Sequence, residues 1–121
     1  MIKPEELRIG NYYLFQGAPT AIEAHDLKYL SNMKSKGQKC ENYQYLPLTE
    51  EILIRAGFKW SIYHQAFHKD EFRFDLNSLQ NGGYSLSTFK QNLIIIYKIE
   101  YVHQIQNLYW CLIGEELVIN F

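Results

Sequence analysis

Apolar and polar positions recur with different periods along this chain, and each change of period marks an element. Across residues 100–114, Tyr101, Val102, Ile105, Leu108, Tyr109, Leu112 and Ile113 return at steps of three and four. On a helix they form one stripe and leave His103, Gln104, Gln106, Asn107 and Trp110 outside it. Gly114 supplies the left-handed residue on which helices commonly end. At about 1.5–3 kcal/mol per side chain the stripe represents roughly 10–20 kcal/mol of gross burial before conformational entropy is subtracted. A lone helix cannot bury it, so a sheet is expected beneath.

A second, shorter helix is predicted in Pro47-Leu48-Thr49-Glu50-Glu51-Ile52-Leu53-Ile54-Arg55-Ala56-Gly57-Phe58. Thr49 can cap its free N–H groups, Glu50 and Glu51 suit the positive end of the helix dipole, and Leu48 and Leu53 stand at staple spacing. Gly57 stops it after two turns, with Phe58 placed to touch Leu53. Both glutamates are therefore read as cap and dipole partners rather than as a catalytic pair.

Elsewhere the period is two. Leu7-Arg8-Ile9-Gly10-Asn11-Tyr12-Tyr13-Leu14-Phe15-Gln16-Gly17-Ala18-Pro19 reads as a strand and a turn leading to a second strand over residues 20–24, a hairpin that opens the fold. Residues 26–33 are expected to add a third strand with Leu27, Tyr29 and Ser31 on one face. Phe58, Trp60 and Ile62 should face away from Lys59, Ser61 and Tyr63, and Phe72, Phe74 and Leu76 away from Arg73 and Asp75. Residues 64–71 are expected to connect those strands. Asn81-Gly82-Gly83 is a turn signal before a strand carrying Tyr84, Leu86 and Thr88. Leu93-Ile94-Ile95-Ile96-Tyr97-Lys98-Ile99, apolar on both faces, is expected to be a central strand under the main helix. Residues 115–121 should form a short strand or a tail pinned to the sheet. The fold class is α+β: a single domain over residues 1–121, mainly antiparallel sheet packed by a C-terminal amphipathic helix and one short helix. No internal repeat or linker is visible.

Composition changes this picture in one respect. At 121 residues the chain is long enough to bury about 65% of its unfolded surface without staples. A net charge of −1 gives no global field for nucleic acid or an anionic membrane. The aromatic share is 16%, with ten Tyr, and tyrosine serves contact surfaces as well as cores, which tilts the reading towards an interaction protein. Cys40 and Cys111 stand isolated, as expected in a reducing cytoplasm. The longest apolar run, residues 93–97, is far short of a membrane span.

Candidate chemistry is sparse. His64 and His68 could ligate a metal only on a helix, and the flanks are strand-like, so a surface connection is expected. His25 beside Asp26 could be a general-base pair, but neighbours on a strand point to opposite faces, which favours a solvated turn. His103, Gln104 and Asn107 could bond a partner or a neighbouring loop. Cys111 and His103 stand more than two turns apart, too far for a nucleophile–base pair. There is no phosphate-binding glycine loop, no nucleophile elbow and no C-x-x-C motif, so the expectation is a protein that is not an enzyme and uses no cofactor or metal. Lys34-Ser35-Lys36-Gly37-Gln38-Lys39-Cys40-Glu41-Asn42 reads as a loop that forms a cationic cluster with Lys28, followed closely by Tyr43 and Tyr45. It is either a contact for phosphate or an acidic protein surface, or a solvated hairpin tip.

Three blocks resemble a family of small proteins encoded by bacterial phages and integrated mobile elements. They are Leu7-Arg8-Ile9-Gly10-Asn11, the Pro47 to Phe58 segment quoted above, and Tyr101-Val102-His103-Gln104-Ile105-Gln106-Asn107-Leu108-Tyr109-Trp110-Cys111-Leu112-Ile113-Gly114-Glu115-Glu116-Leu117. The blocks keep the family's order and span nearly the whole chain, which departs from the pattern in its longer lysine-bearing segment before Tyr43. The resemblance implies a cytoplasmic accessory protein of a mobile element in a bacterial host; the family has no established catalytic residues to carry over. In size and general character the chain is similar to anti-CRISPR proteins that bind type VI-B RNA-guided ribonuclease effectors. The expected partner is then a host CRISPR effector ribonuclease with its guide RNA. Lys34, Lys36, Lys39, Tyr43, Tyr45, His103 and Trp110 are the expected contacts, each predicted to be exposed. The alternative is a small RNA- or DNA-binding module in which the same lysines touch phosphate and the tyrosines stack on bases.

Overall fold

The computed structural model describes residues 2–63, 65–69, 72–80, 82–88 and 94–121. The chain has an α+β architecture in which every strand pairing is antiparallel. It divides into two compact units, Met1–Leu46 and Pro47–Phe121. Among the described residues no helix is long and apolar enough to cross a membrane.

In the first unit a 3-10 turn (Pro4–Glu6) precedes the hairpin of β1 (Tyr12–Phe15) and β2 (Ala18–Ala21). Gln16 and Gly17 both have positive φ, 51° and 82°, which gives the two-residue turn that matches strand twist. Ala18 and Pro19 belong to the second strand rather than to the turn; proline is tolerated there because β2 lies at the edge of the order β2-β1-β3. The third strand, β3 (Tyr43–Gln44), pairs with β1 and is only two residues long.

Residues 26–33 are not a strand: they lie in α1 (Ala24–Ser35). The Glu23 N–H donates to Asp26 Oδ2 at 2.9 Å, closing the helix start, and Asp26 and Leu30, four apart, are buried on its inner face. At the other end Gly37 (φ 67°) takes the left-handed position, and the Gln38 and Gly37 N–H groups bond the Met33 and Lys34 carbonyls. Ile2, Leu7, Tyr13, Ile22 and Leu30 form the core, with Phe15, Leu27, Cys40, Tyr43 and Tyr45 against it.

The second unit begins with α2 (Glu50–Arg55), whose start and stop follow the expected logic. Thr49 Oγ1 accepts the Ile52 N–H at 3.3 Å, and the Phe58 and Gly57 N–H groups bond the Leu53 and Ile54 carbonyls. A five-stranded sheet follows: β4 (Lys59–Ser61), β5 (Ala66–Lys69), β6 (Phe72–Ser78), β7 (Tyr84–Thr88) and β8 (Ile94–Ile99), paired in chain order. Part of the expected connection over residues 64–71 is therefore a strand, fixed by cross-strand pairing of Phe67 with Trp60 that no local period signals. The apolar run ending at Ile99 is last in the sheet order rather than central, since two-faced hydrophobicity reports burial and not the number of strand neighbours. Leu93 and the expected facings of Phe72, Arg73, Phe74 and Thr88 lie outside the described residues.

The C-terminal helix, α3 (Val102–Ile113), ends at Gly114 with φ 82° and packs on β6, the middle strand. Gln104 Oε1 accepts the Glu100 and Tyr101 N–H groups at its start. The final residues form no strand; Leu117 and Ile119 are buried, and Asn120 and Arg55 exchange hydrogen bonds that pin the tail to the end of α2.

Gly57 has φ 90°, and a Cβ there would stand 2.9 Å from Lys69 Nζ, which is itself bonded to the Ala56 carbonyl at 2.8 Å. Gly57→Ala is expected to cost about 1–2 kcal/mol from the left-handed backbone alone, with displacement of the lysine in addition. Thr49→Ala should cost about 1 kcal/mol. Urea unfolding of the two variants checks the order.

Candidate functional site

The lysine-bearing segment starts on the last turn of α1 and continues as a loop. Lys34, Lys36 and Lys39 are exposed, as is Lys28. Lys34 is engaged: its ammonium meets Glu5 Oε1 at 2.7 Å, and this hydrogen bond holds the Glu5 carboxyl below the usual carboxylate range. Lys36 and Lys39 form no ion pair among the described residues. Beside Lys34 the 3-10 turn, α1 and the loop enclose a cleft of about 220 Å³, lined by Ile2, Lys3, Glu5, Leu30, Lys34, Gln38 and Cys40.

Tyr43 and Tyr45 are half-buried, correcting the expectation that they stand exposed. The Tyr43 hydroxyl donates to Asp26 Oδ1 at 2.9 Å, and its ring stacks on Tyr13 with centroids 5.1 Å apart. Tyr45 accepts the Lys3 N–H at 2.9 Å and donates to Glu6 Oε2 at 2.7 Å. Both phenols are pushed above their ordinary value, first by desolvation and then by these carboxylates. Their aromatic faces are spent on the core of the first unit, so neither serves as a free stacking platform.

His25 and Asp26 do meet, because they open a helix rather than share a strand. His25 Nε2 is 3.4 Å from Asp26 Oδ1 and Nδ1 is 3.3 Å from Glu23 Oε2. Potential ligand atoms of Glu23, His25 and Asp26 fall within 4.8 Å of one another. The close contacts, however, set the carboxylates at opposite ring nitrogens, and Asp26 Oδ1 already accepts from Tyr43 and, at 3.4 Å, from Tyr13. The arrangement suits an imidazole bridging two carboxylates better than three ligands converging on one ion. His68 lies on β5; His64, its expected companion, is outside the described residues.

In the second unit His103 is only 3% exposed, a correction to its expected place on the polar side of the helix. The buried face of α3 is Val102, His103, Ile105, Gln106 and Tyr109, while Leu112 turns outward. The true face is thus rotated from the purely apolar stripe and accepts two polar side chains. His103 also lies against the Tyr101 ring, with centroids 6.0 Å apart and planes 12° from parallel. Trp110 is 43% exposed, as expected.

The sequence pattern missed the most exposed apolar run. Trp60, Ile62 and Tyr63, on β4 and the turn after it, are 50%, 83% and 97% exposed. Strand alternation put Trp60 and Ile62 on one face with Phe58, but only Phe58 is buried. The Trp60 ring is nonetheless held in place, edge-on to Phe67 with centroids 5.2 Å apart. Compared with protein-family profiles, characterised proteins and solved structures, the chain matches none.

Because the Tyr43 phenol is raised above its ordinary value of 10.0, the folded chain keeps that proton while the unfolded chain loses it above pH 10. Its contribution to stability is fully present below pH 10 and falls as pH rises beyond it. Melting temperatures over the range from neutral pH to about pH 11 should decline more steeply for the wild type than for Tyr43→Phe. At neutral pH that variant should be about 1.5–3 kcal/mol less stable, for loss of a hydrogen bond to a charged acceptor.

Proposed function

We propose that the protein is a non-enzymatic binding protein of a mobile element that inhibits a host defence protein, with a type VI-B CRISPR effector ribonuclease as the target. The observation that carries the binding reading is the exposed run Trp60, Ile62 and Tyr63. Three large apolar side chains exposed within four consecutive positions are candidate contacts for a macromolecule, and tryptophan and tyrosine are common anchors at such sites. A ring already fixed by Phe67 loses little conformational entropy when it is covered. The mobile-element reading rests on the resemblance of the three sequence blocks, and the choice of target on the chain's size and general character. Inhibition would follow if the bound protein blocked guide or target RNA, or held the effector in an unproductive arrangement. In the first unit Lys36 and Lys39 offer a cationic fringe for an acidic surface.

Those two lysines are also what favours the alternative, a small RNA- or DNA-binding module. With Lys34 engaged by Glu5 and a net charge of −1, the phosphate contacts available are few.

One experiment separates the readings: RNA cleavage by a reconstituted type VI-B effector and its guide, with the protein added at increasing salt. The inhibitor reading expects cleavage to stop and binding to survive salt. Replacing Trp60 and Tyr63 together by Ala should weaken capture at least tenfold, about 1.4 kcal/mol or more, in a chain that still melts cooperatively. Replacing Lys36 and Lys39 by Ala should act mainly on the association rate. Absence of both binding and inhibition would remove the effector from the reading. Binding to naked RNA that collapses with salt would establish the module instead.

A further inference from the structure

We propose that the cleft beside Lys34 is a binding site for a short apolar molecule ending in a carboxylate, a free aliphatic acid of about the size of hexanoate. The site lies wholly within the first unit, and the inference stands whether or not the Trp60 surface binds an effector.

The floor is apolar and fixed. Ile2 and Leu30 belong to the core of the unit, and half-buried Cys40 packs against the same cluster. Lys3 and Lys34 add their aliphatic stems to the walls while their ammonium groups can reach water at the mouth. A space of about 220 Å³ is below the roughly 300–1,000 Å³ that takes a drug-sized ligand. It corresponds to roughly seven waters' worth of liquid volume, so a short chain fills it.

The charge at the mouth selects the end group. Of the lining residues Lys3 and Lys34 are cationic and Glu5 is the only acid, which leaves an excess of one positive charge. Lys34 already holds a carboxylate oxygen, that of Glu5, at 2.7 Å, so its ammonium is placed to bond this chemical group. Glu5 is half-exposed on a short 3-10 turn and acts as an internal occupant that a ligand carboxylate displaces from Lys34 or joins through Lys3. The Gln38 amide is a further donor among the lining side chains. An amine would meet like charge at the mouth. An alcohol would lose the charge-assisted bond, and a phosphate or sugar would leave the apolar floor uncovered.

The test is methyl NMR on the full chain, titrated in parallel with hexanoate, hexanol and hexylamine. Saturable shifts at Ile2 and Leu30 are expected with hexanoate, roughly tenfold weaker with hexanol and absent with hexylamine. Lys34→Met should weaken hexanoate by roughly tenfold, whereas Glu5→Gln, which removes the competing carboxylate, should bind it more tightly. Thermal melts of each variant show whether it remains folded, and the Glu5→Gln gain is a readout that mere unfolding cannot produce. Equal binding of all three probes would overturn the proposal, as would hexanoate shifts confined to other methyls or no saturable shift at millimolar hexanoate. A peptide ending in Leu with a free carboxylate that binds where hexanoate does not would also overturn it, assigning the cleft to chain ends.

Discussion

The Asp26 carboxylate is taken out of water at the start of α1, and the first unit is arranged so that this charge is answered on several sides. One oxygen accepts the Glu23 N–H; the other accepts from the phenols of Tyr13 and Tyr43. The residue thereby joins the only α-helix among the unit's described residues to β1 and to the two-residue β3, which has few ladder bonds of its own. An unanswered carboxylate at that depth would cost several kcal/mol, so the bonds from the helix start and both strands support one another. The position adds a second gain, because a negative charge at a helix N-terminus meets the positive end of its dipole.

The second unit uses the opposite sign at the opposite end. Lys69 of β5 donates to the Ala56 carbonyl just past α2, where the dipole is negative, and its ammonium lies 5.6 Å from the centre of the Tyr109 ring on α3. One side chain therefore ties strand, short helix and long helix. Gly57 leaves room for this approach, since a Cβ there would stand 2.9 Å from the ammonium and oblige it to shift. In each unit a charged group organises the hydrophobic surfaces that supply most of the stability.

These two side chains also show how far local pattern reaches. The elements that announce themselves through caps and stops, α2 with Thr49 and Gly57 and α3 with Gly114, lie where the sequence puts them. The α+β class follows from them and from the alternating stretches. Residues 26–33 carried the same kind of signal, with Asp26 three positions after Glu23, yet Leu27, Tyr29 and Ser31 also fit a strand, and a short apolar pattern does not separate the two periods. Burial of His103 and exposure of Trp60 and Ile62 depend on what each face meets in three dimensions, which periodicity along one segment does not contain. The candidate contact set was legible in the same partial way. Exposure of Lys34, Lys36, Lys39 and Trp110 follows from polarity and helix phase, whereas the half-buried state of Tyr43 and Tyr45 depends on carboxylates distant in the chain. The Lys34 cleft has no linear signature, since Ile2, Leu30 and Cys40 converge only after folding.

A surface that presents bare rings must also avoid sticking to copies of itself, and the geometry of β4 bears on this. Among the described residues it is the end strand of its sheet, and sheet edges are where fibres are templated. Here the strand is three residues long and opens with an exposed lysine. So short and charged a border offers an incoming copy too few backbone groups to propagate order. Contact through side chains, as proposed for this surface, is thereby kept apart from the main-chain pairing by which copies of one chain add to a sheet.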